Sequence, residues 1–369
     1  MARLGDIFVL IRNGASIKQK VGAGGIPITR IETIANREVD RNKFGYAGIL
    51  DIQKYSDYVL QDEDILMSHI NSEKHLGKAA IYKKVGKEII IHGMNLLMLR
   101  ANPKIVFSKY ALYFFETPSF QQQIIKITKK SVNQASFTVT ALKDVEIPLP
   151  PLEIQKDIVA VLDKLSDLIS LRKQQLAKLD ELVKARFVEM FGDPIKNSKQ
   201  FPEKTLGEIC LLKAGITTSA DAIHDYDEEY QIPCYGGNGI RGYVKKSTQH
   251  GIYPIIGRQG ALCGNMQLAQ GDFHATEHAV LVTPLQEMNI LWLFYLLKYM
   301  DLYRYHTGAA QPGLAVKTLN TVDVPVADLT NQNKFAVLVE GIDRQKFTIQ
   351  QSLDKLEMLK KSLMQEYFR

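Results

Sequence analysis

The chain contains no uninterrupted apolar run near the roughly 20 residues that cross a bilayer. The first stretch, MARLGDIFVLIRNG, has too few consecutive apolar residues for a secretion signal, so a cytoplasmic protein with no membrane partner is expected. Cysteine is scarce: Cys210, Cys234 and Cys263 are the only three in 369 residues, and none forms a CxxC pair. That excludes a disulfide framework and favours thiols kept in a reducing compartment over a metal site. The usual signatures of catalysis are also missing. There is no GxxxxGK[ST] phosphate loop, no HExxH, no nucleophile elbow and no Asn/Asp-Pro-Pro-aromatic motif of an amino-methyltransferase. Gly22-Ala23-Gly24-Gly25 lacks the spacing of a dinucleotide site and reads as a loop. His274 and His278 flank Glu277, but in a strand-like segment residues four apart lie too far from each other to share a metal. They read instead as ligand-facing or exposed polar positions.

What the chain does have is ordinary globular composition, with 46% apolar and 23% charged residues. The net charge of +6 is unevenly spread. Residues 1–151 carry 21 basic and 14 acidic side chains, net +7, and residues 192–328 carry 11 and 14, net −3. The intervening 152–191 is neutral and 329–369 is +2. Charge alone therefore points to a polyanionic partner for the first part and not for the second. The acidic run Asp221, Asp225, Asp227, Glu228 and Glu229 is expected to face away from any polyanion, or toward a protein.

Self-comparison shows an internal repeat. At a shift of 177, residues 129–191 lie on 306–368 without a gap. Gln134 meets Gln311, Leu142 meets Leu319, Pro148 meets Pro325, Gln155 meets Gln332, and Glu189 and Phe191 meet Glu366 and Phe368. Leu4-Gly5-Asp6-Ile7 resembles Leu206-Gly207-Glu208-Ile209 at a shift of 202, so the first module is 25 residues longer than the second. The frame repeats while the inserted surfaces differ, as in a protein that reads two unlike things from one scaffold; simple drift after duplication would look the same.

After Pro150-Pro151 the pattern turns helical. Ile154, Ile158, Val161, Leu165, Leu168, Leu176, Leu179, Leu182 and Met190 recur mostly at steps of three, four or seven, and Phe191-Gly192-Asp193-Pro194 stops the run. Forty residues at about 1.5 Å each make a rod of roughly 60 Å. Phe335, Leu338, Ile342, Ile349, Leu353, Leu356, Leu359, Leu363 and Tyr367 form a second such stripe. Both stripes break near the middle, at Arg172 and at Gln345-Lys346. An antiparallel coiled coil of the two is the simplest pairing, with one module at each end; packing of each helix onto its own module is the alternative. The modules mix strands and helices. YAGILDIQKY, KAAIYKKVGKEIIIHGMNLLMLR, IPCYGGNGIRGYVKK, GIYPIIGRQGALCGNMQ and TEHAVLVTP read as strands with glycine turns, and VFSKYALYFFETPSFQQQIIKI and MNILWLFYLLKYMD as helices. The expected class is α+β: two globular domains (1–150 and 193–328) joined by a long antiparallel two-helix coiled coil (151–192 and 329–369) with pseudo-two-fold repetition.

These residues carry a family resemblance. EIPLPPLEIQKDIVAVLDKLSDLISLRKQQLAKLDELVKARFVEMFGDP closely resembles the central conserved region of the specificity subunit of type I restriction–modification enzymes. VDVPVADLTNQNKFAVLVEGID resembles its distal copy, with Ala327-Asp328 in place of the usual Pro-Pro. IPCYGGNGIRGYVKK, GRQGALCGNM and ATEHAVLV look like one class of target-recognition domain, and HTGAAQPGLAVKTLNTVDVP like its closing segment. The resemblance implies a non-catalytic, DNA-binding subunit with two target-recognition domains. Each would read one half of a bipartite, asymmetric site in double-stranded DNA, and the coiled coil would fix the unread spacer. It also implies two methyltransferase subunits as partners, which carry the cofactor S-adenosylmethionine; none is expected in this chain. Two motor-nuclease subunits join in restricting systems. From the residues themselves, a coiled-coil scaffold with other ligands and a self-contained DNA enzyme remain the rival readings.

Reading bases needs paired or fork-like donors on loops facing a groove. In the first module the candidates are Arg12, Lys18, Lys20, Arg30, His69, Asn71, Lys74, His75 and Lys78, with SHINSEKHLGKAA the densest stretch. In the second they are Thr217, Thr218, Asn238, Arg241, Arg258, Gln259, His274, Glu277, His278 and Tyr305, with His306 beside it.

Overall fold

The structure is a computed structural model and describes residues 1–20, 24–34, 38–131, 134–308 and 312–369. Gly22 and Ala23 of the glycine-rich stretch, and Gln311 of the repeat, lie outside the described residues. The chain divides into two compact units, Met1–Arg172 with Ser352–Arg369, and Lys173–Gln351. The long helices, Leu152–Phe191 and Leu329–Tyr367, are therefore shared out, each unit taking a part of both.

In the first unit four antiparallel strands stand in the order Phe8–Asn13, Leu96–Ala101, Ile65–Ser68, Ala79–Ile81. All four residues of Ile65–Ser68 are buried. The helices Ser108–Phe114 and Pro118–Ile127 cover the sheet; Thr117 caps the second by accepting from the Phe120 amide, with Pro118 at its first position. One core then joins Leu97 and Leu99 to Tyr110, Phe114 and Phe120, and on to Ile158 and Leu162 of the first long helix and Met364 and Phe368 at the end of the second. Phe368 lies 4.9 Å from the Tyr110 ring and 6.0 Å from that of Phe114, and Lys360 donates to the Ser166 hydroxyl at 2.8 Å.

In the second unit six strands run in the order Cys210–Ala214, Ala279–Pro284, Gln249–Gly257, Met266–Ala275, Ile232–Gly236, Gly239–Val244. Ile232–Gly236 pairs parallel with Met266–Ala275, and every other ladder is antiparallel. The apolar helix Ile290–Tyr299, capped by the Asn289 side chain, packs beneath. Its core takes in Val183, Phe187 and Phe191 from the first long helix and Phe335, Val339 and Ile342 from the second. Phe335 sits 5.5 Å from Phe187 and 5.6 Å from Phe191, and Lys346 reaches Asp180 at 2.6 Å. As numbers rise on one helix they fall on the other, so the pairing is antiparallel. The helices pack on each other and on the globular part as well, uniting the two arrangements that the stripes alone left as alternatives.

The repeat is visible in the fold. A short antiparallel pair opens and closes each module: Ala2–Arg3 with Glu146–Ile147, and Glu203–Thr205 with Asp323–Pro325. The one-turn helices Leu4–Ile7 and Leu206–Ile209 follow the opening strands, and Val139–Lys143 and Val316–Asn320 precede the closing ones. Gln155 and Gln332 are buried and do equivalent work. Gln155 accepts from the Phe107 amide at 2.9 Å and donates to Ile105 and Pro150 carbonyls at 3.0 and 2.8 Å. Gln332 accepts from the Asn289 amide and donates to the Ala327 carbonyl, both at 2.8 Å. Phe107 and Asn289 are the N-cap positions of the two module helices, so each glutamine ties a module helix to the head of a long one.

Some strand expectations fail: in KAAIYKKVGKEIIIHGMNLLMLR, residues 88–92 join no ladder, and Ile91 makes only isolated bridges. YAGILDIQKY forms no ladder: it runs extended and ends in the 3-10 turns Gln53–Tyr58, with Leu50 exposed. Its Ile49 and Tyr55 instead pack on a small cluster around Ala15, Ile28 and Ile91. His278 is not in a strand either, because the chain turns between Ala275 and Ala279.

Candidate nucleic-acid interface

Antiparallel pairing brings four chain segments to one end of the first sheet. Asn13 lies opposite Leu97, Ser68 opposite Leu96, and Met67 opposite Ala79. Every candidate of the first module is on, or continues from, that end. Arg12 donates to the Asp57 carbonyl at 3.0 Å and lies 4.1 Å over the Tyr58 ring, so its guanidinium is held. Lys18, Lys20 and Lys74 are exposed. Arg30 pairs with Glu32 at 3.3 Å. Lys78 donates to Nδ1 of His75 at 2.7 Å. Burial, then the Lys78 and Lys74 charges, lower the His75 pKa and keep the ring a neutral acceptor. Asn71, His75 and Lys78 line a cleft of about 200 Å³ with Glu32 and Ser68.

His69 is placed differently from the expectation. It is 6% exposed, packs edge-on to Phe137, and has no partner at Nδ1. Burial drives its pKa down to about 4, against the Asn95 backbone bond that raises it. As a buried neutral ring continuing a buried strand, it supports the face from behind and is not a free donor. The sequence reading missed His92 entirely. It is fully buried, its pKa is pushed down to about 3 by burial, and it contacts the Thr29 hydroxyl at 3.4 Å. The available signal was Gly93 beside it: a Cβ on the facing Gly14 would stand 1.9 Å from the Gly93 carbonyl oxygen, so only glycine permits this approach.

In the second unit the candidates converge more tightly. The loop after Cys210–Ala214 bridges Ile216 to Thr276, the Tyr235 carbonyl accepts from the Thr276 amide, and Arg258 donates its amide to the His278 carbonyl at 3.0 Å. Gln259 bridges to Gly313. Thr218 shares a 2.8 Å bond with His274 Nε2 and gives its amide to Glu277 at 3.2 Å, while His278 meets the other Glu277 oxygen at 3.0 Å. Burial raises the Glu277 pKa, but its own and the Thr218 backbone bonds, with His278 and Arg241, outweigh that and hold it below the ordinary range. Burial lowers the pKa of His274, which is 8% exposed. Glu277 and His274 are thus spent on internal contacts, which differs from their expected role as open readers. The sequence-level separation of His274 and His278 is also too pessimistic, since Glu277 and Thr218 link them. Arg241 is exposed and lies against Gly236. Asn238 accepts from Asn265 at 2.6 Å, and Thr217 and Gln259 are exposed. Tyr305 is half-buried against the core with the Arg304 guanidinium 4.7 Å above its ring. Thr276 went unnoticed in the sequence although it lies inside ATEHAVLV; its hydroxyl is buried without a partner. The acidic run sits beyond the outer hairpin strand, where His224 pairs with Tyr243 and Glu229 with Lys245.

Among the described residues no three His, Cys, Asp or Glu side chains are placed to hold a metal, and the three cysteines are buried and free. No helix among them is long and apolar enough to cross a membrane. A duplicated frame thus carries two dissimilar groups of polar side chains. The chain belongs to the type I restriction modification DNA specificity family, whose model matches residues 1–181 and 198–358. It is 30% identical over 395 residues to a protein of Methanocaldococcus jannaschii assigned as the type I restriction enzyme MjaX specificity subunit, covering 98% of this chain and 90% of that one. It is 38% identical over 248 residues to the type I restriction enzyme EcoprrI specificity subunit of Escherichia coli, covering 62% of this chain and 59% of that one. Among solved structures it superposes with a TM-score of 0.64 on the type I restriction–modification S subunit from M. genitalium, at 16% identity, covering 100% and 95% of the two chains. A second, from work on complex assembly and conformational transition of the type I R-M system, gives 0.59, also at 16% identity, covering 100% and 97%. At that identity the structures speak for the fold.

Proposed function

We propose that each unit reads one half of a bipartite, asymmetric site in double-stranded DNA, and that the paired long helices set the unread spacer and dock methyltransferase subunits. The observation that carries this reading is the contrast between a repeated frame and unlike faces. The frame elements recur at fixed shifts, whereas Asn71, His75 and Lys78 line one face and Thr218, Arg241 and Arg258 gather at the other. One frame with two different readers specifies an asymmetric target. The chain itself performs no chemistry in this proposal. Two partner methyltransferase subunits bind S-adenosylmethionine and methylate adenine, and two motor-nuclease subunits join where the system restricts. The net +7 of residues 1–151 favours DNA for the first unit through counterion release. In the second unit, recognition rests on the Arg258 and Arg241 face. The test is to map methylated adenines in the host genome with the gene intact and deleted. Loss of one bipartite motif is expected; an unchanged methylome in a system that methylates would reject the proposal in favour of a scaffold.

A further inference from the structure

Arg258 is a charge of the second unit with no ionic partner among the described residues. It follows the strand Gln249–Gly257 and is only partly exposed. Its backbone is fixed on both sides: the amide donates to the His278 carbonyl at 3.0 Å, and the carbonyl accepts from Leu314 at 2.8 Å. Gly257 packs against Gly237 so closely that a Cβ on Gly257 would stand 2.0 Å from the Gly237 carbonyl oxygen. Arg258 Nε is sealed from solvent with no acceptor, and no carboxylate among the described residues pairs with the guanidinium. Within the cluster, Glu277 has both oxygens engaged, by Thr218 and His278.

A buried Nε–H left without an acceptor has a cost, while the rest of the guanidinium stays open to water or to a ligand. With Nε turned inward, the edge left to a ligand is the pair of terminal amino groups. That edge matches the N7 and O6 acceptors of guanine in the major groove. A phosphate is served as well by a flexible, exposed lysine, whereas a planar fork on a fixed backbone with its Nε buried has less freedom to lose on binding and suits a base of defined position.

We infer that Arg258 reads a guanine in the half-site recognised by the second unit. The inference rests on the DNA-reading function proposed above. The test uses the full chain assembled with its methyltransferase partner and compares wild type, Arg258→Ala and Arg258→Lys. Both variants should relax a single guanine position of one half-site, lowering the preference for guanine there roughly ten- to a hundredfold, with the other half-site and the spacer unchanged. Lysine keeps the charge and the approximate size, so it decides the matter if the alanine variant fails to fold. Three outcomes overturn the inference. One is uniform weakening on all sequences with a shallower salt dependence, restored by lysine, which marks a phosphate contact. Another is an unchanged preference at every position, and the third is a wild-type half-site with no guanine on either strand. If the wild-type assembly methylates no bipartite motif at all, it is the DNA-reading function itself that fails.

Discussion

Gln155→Leu removes the acceptor of the Phe107 amide and the donor to the Ile105 and Pro150 carbonyls in one substitution. Leucine nearly fills the same volume, so the loss is of hydrogen bonds and not of packing. An orphaned buried group costs about 1–3 kcal/mol, and a carbonyl with a second lone pair less than an amide. The sum expected is about 2–4 kcal/mol from the first unit. Gln332→Leu strands only the Asn289 amide and the Ala327 carbonyl, and should cost the second unit less, about 1–3 kcal/mol. Urea unfolding gives the magnitudes, and amide hydrogen exchange locates them. Protection should fall at Phe107 and the following turn in the first variant, and at Asn289 to Trp292 in the second. Gln155→Glu should be worse than leucine near neutral pH, since a carboxylate would then face two carbonyl oxygens. A Gln155→Leu chain within about 0.5 kcal/mol of wild type, or exchange that accelerates evenly across both units, would refute the idea that the glutamine is a local pin.

His92 is neutral in the fold, with its pKa near 3 against about 6.5 unfolded, so its contribution is complete above pH 6.5 and is lost as pH falls from there toward 3. The slope below pH 6.5 is about 1.4 kcal/mol per pH unit, and a His92→Gln chain with the same pH dependence as wild type contradicts it. Phe187→Ala, beside Phe191, Tyr299 and Phe335, should cost the second unit about 3–5 kcal/mol in urea unfolding; a loss below about 1 kcal/mol would show that its cluster is loosely packed. Adding seven residues to each long helix, after Arg172 and before Ser352, lengthens each by about 10 Å. The methylated motif should then keep both half-sites with a spacer roughly 3 base pairs longer; an unchanged spacer rejects the ruler role.

The long helices were legible because proline, glycine and heptad-like spacing act locally. The limits read at Leu152 and Phe191 coincide with those of the first long helix in the structure. The outer hairpin IPCYGGNGIRGYVKK was legible for the same reason, with its glycine turn between paired strands. YAGILDIQKY was not, because alternation of apolar residues is equally satisfied by an extended loop lying on a small cluster. The candidate faces were legible only as inventories of donors. Nothing local tells that Thr218 meets His274, or that the Arg258 backbone is gripped between His278 and Leu314; strand order decides that. His69 shows the converse error. A histidine in a polar stretch reads as exposed, yet just past the strand Ile65–Ser68 its ring is buried.

The division of each long helix between two units has a consequence in time. Residues up to Arg172 leave the ribosome with Tyr110, Phe114, Ile158 and Leu162 awaiting Met364 and Phe368. About 180 further residues must be made first, which at 5–20 residues per second takes roughly 10–35 s. The first module is thus the first synthesised and among the last finished. Its apolar seam is open to chaperones, or to another nascent copy, for that whole interval. A nonsense codon near Ser352 would damage the beginning of the protein as much as its end.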